Sequence, residues 1–316
     1  MYMHALPIKH VSIVIPCFNS AATLGETVRR IRDTLANRFE LEFILVNDGS
    51  ADNTWQEILN LQVQSQTVKS IDLMRNFGEH NAAITGLRFV SGDTAIIVDD
   101  DLQHPASEIL KLLDELAKGY DVVYGRYIDK QHSLWRNIGS SLNDKLATIL
   151  LNKPKSLYMS SFKAMRRPLV DAVCAYDGPF VYIDGLIFWT TENIGQVDVE
   201  HTARSDGRSN YNIRRLVRLH LNLATGFSVI PLRVASLSGV VMAVLGAILA
   251  AFFVYEKLTR HDLNIPIGWA STIVCLLVIG GIVLAMLGII GEYVGRIFLS
   301  LNRKPQSVIR EVVETE

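Results

Sequence analysis

The sequence predicts an α/β fold in which a Rossmann-like, mostly parallel sheet is followed by an amphipathic interface helix and two transmembrane helices. Two observations support this prediction. Short apolar runs alternate with amphipathic helical segments through roughly the first 125 of the 316 residues. Two long stretches without charged residues then follow near the C-terminal end, which is more hydrophobic than the rest of the chain. A chain of this length allows about two domains.

The first part of the chain alternates strands with helices, as in sheets whose helices cover both faces. Apolar β-forming residues predict strands over 11–16, 43–46, 68–73, 94–98 and 121–124, with a further candidate at 197–199. Helical spacing of apolar residues predicts helices over 21–36, from 52 or 53 through 59, and over 81–90, 106–118, 137–151 and 169–175. Ligands bind beyond the carboxyl ends of such strands. We therefore expect one site to be formed by the loops 16–20, 47–50, 75–78 and 99–103.

Three consecutive carboxylates end the fourth predicted strand. Because side chains alternate along an extended chain, Asp99 and Asp101 are expected to point one way and Asp100 the other. Carboxylates held so close repel each other unless a cation is bound between them. Oxygen ligands suit Mg²⁺ or Mn²⁺, completed by substrate phosphates. The alternative, an acidic cap for a helix that begins near Pro105, needs fewer carboxylates.

Other motifs of catalysis or phosphate binding are missing from the sequence. It has no Walker A pattern, no G-x-G-x-x-G after the first strand, no G-x-S-x-G and no zinc-type histidine pair. The net charge of −1 gives no basic field for nucleic acid. The residues that could clamp a phosphate are arginines after the fifth strand, namely Arg126, Arg136, Arg204 and Arg208.

The C-terminal part predicts membrane attachment. Residues 213–230 form a basic amphipathic pattern, and the uncharged stretches 234–255 and 265–290 are each long enough to cross a hydrocarbon core of about 30 Å. Arginine and lysine flank the outer ends of the pair, which predicts cytoplasmic termini. A buried helical hairpin in a soluble protein is the alternative. The expected organisation is a catalytic domain over 1–212, an interface helix over 213–231, transmembrane helices over 232–256 and 265–292, and a cytoplasmic tail over 293–316.

Several motifs together resemble those of the polyprenyl-phosphate glycosyltransferases. These enzymes are family-2, GT-A relatives of dolichyl-phosphate mannose synthase, and the branch with two helices includes bacterial undecaprenyl-phosphate glucose and aminoarabinose transferases. The motifs are Val14-Ile15-Pro16-Cys-Phe-Asn19, Val46-Asn47-Asp48-Gly49-Ser50, Arg75-Asn76-Phe77-Gly78, Asp99-Asp-Asp101-Leu-Gln103-His-Pro105, Arg204-x-x-Gly207-x-Ser209-x-Tyr211 and Gly291-Glu-Tyr-Val-Gly-Arg296.

This resemblance implies a role for each matching residue. The nucleotide sugar would be bound by Pro16, Phe18, Asp48, Arg75, Gly78, Asp99 and Asp100. The metal, Mg²⁺ or Mn²⁺, would be held by Asp99, Asp101 and Gln103. The lipid phosphate would be bound by Arg126, Arg136, Ser140 and Ser209. The residues implied in catalysis are Asp99, Asp101, Arg136 and Arg204.

The resemblance also implies a reaction and a location. A sugar would pass with inversion from a nucleotide sugar, with a UDP-linked donor favoured, to undecaprenyl phosphate at the cytoplasmic face of a bacterial inner membrane. The product would serve cell-envelope glycan or lipid modification, and the enzyme would contact membrane lipids and form a homo-oligomer, a tetramer in relatives. A processive polysaccharide synthase and a catalytically silent membrane partner stay open as alternatives.

Four positions depart from the family pattern. Ser20 replaces a common Glu, Asn47 the first Asp of Asp-Asp-Gly-Ser, Leu157 an Asp near the sugar, and Asn210 a Lys. The first two concern donor recognition, the third the sugar and the fourth a phosphate contact.

Overall fold

The computed structural model describes residues 7–127, 148, 153–154, 157–200, 229–259 and 269–314. Two compact units are distinguished by their internal contacts. The first consists of Met1–Asn210 together with Arg303–Glu316, and the second is Tyr211–Asn302.

Strands and helices alternate through most of the first unit. The strands are β1 (His10–Cys17), β2 (Glu40–Asn47), β3 (Val68–Leu73), β4 (Thr94–Ile97), β5 (Val122–Tyr127), β6 (Lys163–Arg166), β7 (Ile194–Val199) and β8 (Ile309–Val313). The helices of this unit are α1 (Leu24–Leu35), α2 (Thr54–Gln64), α3 (Glu79–Leu87), α4 (Ser107–Leu116), α5 (Arg167–Cys174) and α6 (Ile183–Thr190). The second unit contains α7 (Ile230–Thr259) and α8 (Trp269–Leu301).

Among the described residues the strands form one eight-stranded sheet in the order β7-β5-β6-β4-β1-β2-β3-β8. Neighbours are parallel in β1–β2, β1–β4, β2–β3 and β5–β7, and antiparallel in β3–β8, β4–β6 and β5–β6. The predicted α/β fold is confirmed, and the sheet is mixed because β6 and β8 run against their neighbours.

The central strands are buried on both faces, which explains their continuous apolar runs. Ile13 and Ile15 of β1 belong to the large core cluster that also contains Leu24 and Val28 of α1. On the opposite face, Val14 lies so close to Gly86 of α3 that a Cβ there would be 2.6 Å from its Cγ1 atom. The first two predicted helices and the helix over 106–118 correspond to α1, α2 and α4, and the predicted strands correspond to β1–β5 and the end of β7.

Two strands and one helix of the sheet unit were not predicted. β6 inserts antiparallel between β4 and β5, and α6 is the second helix after it, following α5. β8 lies in the segment that the sequence analysis assigns to a cytoplasmic tail over 293–316; the structure places 293–301 in α8 and pairs β8 with β3. The predicted helix 137–151 and nearly all of the predicted interface helix 213–231 lie outside the described residues.

The second unit exposes much apolar surface. Among the described residues one stretch, Val278–Leu301, is long and apolar enough to cross a membrane, and α7 contributes a shorter apolar segment, Ile230–Gly246. Large apolar side chains are exposed on both helices, among them Leu237 at 65% and Leu284 at 70%. The candidate span overlaps the predicted transmembrane helix 265–292, whereas the apolar segment of α7 is shorter than the span predicted over 232–256.

Candidate functional site

Backbone and side-chain hydrogen bonds join the loops that follow β1, β2 and β4. The amide of Phe18 donates to Oδ2 of Asp100 at 3.0 Å, and the amide of Asn19 donates to Oγ of Ser50 at 3.0 Å. Oδ1 of Asn19 accepts from the amide of Ala51 at 2.8 Å. The loops therefore meet at the carboxyl ends of these strands, as the sequence predicts.

Asp48 holds the loop after β3. Its carboxylate accepts from the amides of Phe77 at 2.7 Å and Gly78 at 2.9 Å, and the residue is only 3% exposed. Burial raises the pKa of Asp48, and the two amide donors act against that rise. The side chain of Asp48 thus fixes the conformation of the 75–78 loop through these two amides.

Gly49 is required where the loops after β2 and β3 pack against each other. Its φ is +63°, and a Cβ atom there would lie 2.4 Å from the carbonyl carbon of Arg75. The guanidinium of Arg75 stacks over the ring of Phe77 at 4.7 Å. Phe18, on the neighbouring loop, is 49% exposed, which leaves its ring accessible to a ligand.

The three aspartates after β4 point toward different neighbours. Oδ2 of Asp99 accepts from Ser161 Oγ at 2.6 Å and lies 3.1 Å from His104 Nε2, whereas Asp100 faces Phe18. Oδ1 of Asp101 accepts from the amide of Gln103 at 3.2 Å. The opposite orientation of Asp99 and Asp100 agrees with the alternation predicted from the sequence.

The pKa values of two of these aspartates shift in opposite directions. Burial acts to raise the pKa of Asp99, but His104 and Ser161 hold it below its usual range. Burial raises the pKa of Asp100, and repulsion from Asp101 and Asp99 adds to the rise. A cation at this position would relieve that repulsion.

His104 supports Asp99 from a stack of rings. Its imidazole lies 4.6 Å from the ring centroid of Phe162 and 5.5 Å from that of Tyr127, nearly parallel to both. The turn between Asp99 and His104 places Leu102 at a φ of +61°, a region that non-glycine residues rarely adopt. The ring stack and the turn thus fix the direction of the Asp99 carboxylate.

The donor set fits a hard divalent cation. No group of three or more His, Cys, Asp or Glu side chains able to hold a metal occurs in the part of the chain that the structure describes. Mg²⁺ and Mn²⁺ need no such group, because one or two carboxylates and substrate phosphates complete their coordination. Both described hydrogen bonds to Asp99 reach Oδ2, so Oδ1 is available for a metal.

Most of the predicted phosphate-binding residues lie outside the described residues. These are Arg136, Ser140, Arg204 and Ser209. Arg126 is described and pairs with Asp198 across β5 and β7, at 2.5 and 2.8 Å. A phosphate bound by Arg126 would have to compete with this carboxylate. Pro16 lies in β1 opposite Val46 of β2.

Two of the positions that depart from the family pattern make local hydrogen bonds. The amide of Ser20 donates to Thr54 Oγ1 at 2.8 Å, which ties the β1 loop to the start of α2. Asn47 donates to Asp72 Oδ1 at 2.7 Å and accepts from the Ser50 amide at 3.2 Å. The side chain of Leu157 is buried, so it provides no group for a sugar. Asn210 lies outside the described residues.

Residues from β6 and its approach were not predicted. Ser161 contacts Asp99 although it lies about 60 residues later in the sequence. Its segment has a mixed composition and no recognisable motif, so nothing in the sequence identifies Ser161 as a site residue. His104 lies within the aspartate motif but has no role assigned by the motif. Thr23 donates to the Asp100 carbonyl at 2.6 Å and braces the same turn from α1.

Comparison with known proteins identifies the family and the fold. Residues 12–174, just over half of the chain, match the model of glycosyl transferase family 2. Solved structures of glucosyl-3-phosphoglycerate synthase from Mycobacterium tuberculosis resemble the fold. One, in complex with Mn²⁺, UDP and phosphoglyceric acid, matches at 18% identity and a TM-score of 0.52, over 69% of this chain and 76% of that one. Another, with Mn²⁺, UDP-glucose and phosphoglyceric acid, also matches at 18% and 0.52, over 69% of this chain and 78% of that one.

These structures share the fold of the described sheet, and they hold Mn²⁺ together with UDP, in keeping with divalent metal use by GT-A enzymes. The family match covers β1 through α5, which includes the loops that meet at the aspartate run. The chain therefore belongs to glycosyl transferase family 2 and is a nucleotide-sugar glycosyltransferase with an α/β GT-A fold.

Proposed function

We propose that the protein transfers a sugar from a UDP-linked donor to a polyprenyl phosphate, undecaprenyl phosphate in bacteria, at the cytoplasmic face of a membrane. The observation that carries the donor side is the hydrogen bond between Phe18 and Asp100, which joins the base-side loop to the aspartate run. The structures similar in fold bind UDP and Mn²⁺. We assign Phe18, Pro16, Asp48, Arg75, Gly78, Asp99 and Asp100 to the nucleotide sugar.

The aspartate run is the proposed metal position. Asp99 and Asp101, with Gln103, would hold Mg²⁺ or Mn²⁺ on the donor diphosphate, and the metal when bound would neutralise the charge that develops on the leaving group. Ser161 and His104 orient Asp99 through Oδ2. The carboxylate is thereby fixed before the donor binds.

The acceptor side of the proposal rests on the second unit. Val278–Leu301, 24 residues long, is apolar enough to cross a membrane, and many large apolar side chains of α7 and α8 are exposed. Exposed apolar surface of this extent requires a lipid or protein partner. A lipid-linked acceptor fits an enzyme that carries such helices, because its reactive phosphate lies at the membrane surface.

The path of the chain supports a two-helix membrane anchor. The sheet unit ends at residue 210 and resumes at residue 303, and β8 (Ile309–Val313) then pairs with β3. A segment that starts and ends at the same domain crosses a membrane an even number of times or not at all. The long helices α7 and α8 then supply one crossing in each direction, with the sheet unit in the cytoplasm.

In the proposed reaction an oxygen of the lipid phosphate attacks the anomeric carbon from the side opposite the diphosphate, which inverts that centre. The phosphate is already ionised near neutral pH, so no strong general base is required. Arg136, Ser140 and Ser209, with Arg126 and Arg204, are the proposed ligands that bring this second anion to the donor. The chain itself provides position and charge.

A transfer assay in detergent tests the proposal. The full chain is incubated with Mn²⁺ or Mg²⁺, a panel of radiolabelled nucleotide sugars, and either undecaprenyl phosphate or 3-phosphoglycerate. We expect one labelled product that partitions into chloroform, carries a single sugar and disappears with EDTA. A water-soluble product made only with 3-phosphoglycerate would overturn the lipid acceptor. Long polymer would favour a processive synthase, and no product from a folded protein would favour a silent membrane partner.

A further inference from the structure

A cavity of about 240 Å³ lies beside the aspartate run. Ser161 lines it and also donates to Asp99, so the cavity adjoins the proposed metal position. Its volume is below the roughly 300–1,000 Å³ that drug-sized ligands occupy, and it suits one small polar ring better than a whole nucleotide. The polar residues that line it are Glu79, His80, Ser160, Ser161, Lys163, Tyr182 and Asp184.

The floor of this cavity is a buried ion pair. The ammonium of Lys163, in β6, donates to Oδ1 of Asp184 in the first turn of α6, and both side chains are less than 10% exposed. The hydroxyl of Tyr124 donates to the same oxygen at 2.9 Å. A buried pair of this kind persists only when its charges and hydrogen bonds are mutually satisfied. The positive charge of Lys163 is therefore committed to Asp184.

The other titratable groups of the cavity add no positive charge. Burial lowers the pKa of His80, whose ring lies 4.9 Å from that of Tyr182, so the imidazole is neutral near pH 7. Desolvation of its carboxyl group raises the pKa of Glu79 to about 7, and repulsion from Asp99 adds to the shift. The carboxyl group of Glu79 therefore already resists ionisation, and a further anion would meet the same repulsion.

We propose that this cavity is the sugar subsite of the donor and that it selects an uncharged sugar over a uronic acid. The hydroxyl groups of a neutral sugar can donate to Asp184 and Glu79, whereas a sugar carboxylate would lie against both acids without a free cation among the described residues that line the cavity. The inference rests on the proposed use of a nucleotide sugar, and it adds which sugars the site accepts.

The same charge distribution in the cavity distinguishes the sugar of the donor from the phosphate of the acceptor. A phosphate group carries more negative charge than a uronate, so the cavity also excludes the acceptor phosphate. Lys163 lies opposite Ile97 of β4 and Tyr124 of β5, inside the sheet unit and near the end of β4 that leads to Asp99. The acceptor phosphate must then approach from outside this cavity.

The test measures binding of three probes to the full chain in detergent with Mn²⁺. UDP reports the nucleotide site alone, and UDP-glucose and UDP-glucuronate differ only in a hydroxymethyl or carboxylate group on the sugar. We expect UDP-glucuronate to bind about tenfold or more weakly than UDP-glucose, a conservative figure for an anion placed beside two acidic side chains. Equal or tighter binding of UDP-glucuronate would overturn the inference and leave the UDP site intact. Failure to bind UDP would remove the donor proposal itself.

Two variants test the residues. Asp184→Asn keeps the size of the side chain but releases the charge of Lys163. We therefore expect the affinity for UDP-glucuronate to rise about tenfold relative to that for UDP-glucose, while the affinity for UDP is unchanged. Glu79→Gln, at the exposed side of the cavity, should also bring the affinities for UDP-glucose and UDP-glucuronate closer together. The effect should be smaller than that of Asp184→Asn, and folding should be unaffected. The matched control is Glu40→Gln, at the exposed start of β2, which should leave all three affinities unchanged.

The variants have clear negative outcomes. If Asp184→Asn melts normally and weakens the binding of UDP as much as the binding of either UDP-sugar, the ion pair only supports the fold and the inference is wrong. If Asp184→Asn does not fold, Glu79→Gln decides, and an unchanged ratio in that variant would overturn the proposed selection.

Discussion

Arg310 donates to Oδ2 of Asp72 at 2.8 Å, across 238 residues of sequence. Asp72 is buried at 1% exposure, and its other carboxylate oxygen accepts from Asn47, which in turn holds the Ser50 amide. Arg310 also donates to the carbonyl of Met74 at 2.9 Å, at the start of the loop that contains Arg75. The strand reached after the helix pair therefore braces the two loops that we assign to the nucleotide.

We expect Arg310→Ala to lower both stability and UDP affinity. The change leaves a buried carboxylate with one donor fewer, which costs about 1–3 kcal/mol of unfolding free energy. Loss of the Met74 contact also frees the loop after β3. Thermal melting and UDP titration of the full chain measure the two effects. Arg310→Lys keeps the charge but cannot form both contacts, so it should restore stability in part.

The matched control is Arg38→Ala, which removes another Arg–Asp pair of the same unit. Arg38 lies 3.3 Å from Asp114, and both side chains are more than half exposed. An exposed pair contributes about 0–1 kcal/mol, so this variant should melt close to the parent and bind UDP normally. Equal effects of the Arg310 and Arg38 variants would contradict the bracing role of β8.

Asp101→Ala should leave the fold intact and remove metal-dependent donor binding. The residue lies on a loop, and one of its contacts is with the amide of Gln103. Loss of a metal ligand on the diphosphate should lower transfer by about a hundredfold or more. UDP binding with and without Mn²⁺ measures the first effect, and Asp33→Ala, on the exposed face of α1, is the control. Turnover at the level of the parent would remove the metal assignment.

Arg136→Ala should weaken binding of the lipid phosphate more than binding of the donor. The residue is proposed to bind the acceptor, so the KM for undecaprenyl phosphate should rise while the affinity for UDP stays unchanged. Arg126→Ala provides the comparison, because Asp198 already occupies that guanidinium at 2.5 and 2.8 Å. We expect a smaller rise in KM there. Equal losses of donor and acceptor affinity in Arg136→Ala would exclude its acceptor role.

Glu42 should make the sheet unit sensitive to acid. Burial acts to raise the pKa of Glu42, but donors from Ser12 at 2.5 Å, Ser91 at 2.8 and 3.0 Å, and Lys69 at 2.9 Å lower it below 4.5. A carboxyl whose pKa is lowered on folding contributes stability above its unfolded pKa and loses it as the pH falls through the folded value.

The measurement is the melting temperature between pH 7 and pH 3. Glu42→Gln should melt lower than the parent at pH 7 and should lose less stability below pH 4.5, because its side chain takes up no proton. Glu40→Gln, two residues earlier and exposed, should follow the parent at every pH. Parallel curves for the parent and Glu42→Gln would show that the folded pKa of Glu42 is not lowered.

The sequence predicts the parts of the fold that repeat locally. β1 through β5 are apolar runs bounded by turns, and the loops that follow four of them converge as expected because parallel strands end at one edge of a sheet. Asp99 and Asp100 could be assigned to opposite sides from alternation alone. These features depend on residues that are close in sequence.

The parts that sequence reasoning missed depend on distant partners. β6 contains Lys163, whose charge interrupts the apolar pattern and pairs with Asp184 in a later helix. β8 contains Arg310 and Glu311 and pairs with β3 after both long helices have intervened. No local pattern distinguishes such strands from polar loops, because their partners are set by the folded sheet.

Gly49 allows the cost of a close contact to be separated from the cost of backbone conformation. Gly49 has a φ of +63°, which an alanine can adopt at a cost of about 1–2 kcal/mol, but its Cβ would meet the Arg75 carbonyl carbon at 2.4 Å. Gly119 has a φ of +110°, where alanine is strained too, yet nothing lies within 4 Å of a Cβ there. We expect Gly49→Ala to lower the melting temperature more than Gly119→Ala and, unlike it, to weaken UDP binding. If Gly119→Ala were the more harmful change, backbone strain alone would account for both glycines, and the packing of the Gly49 loop against Arg75 would not be what shapes the nucleotide site.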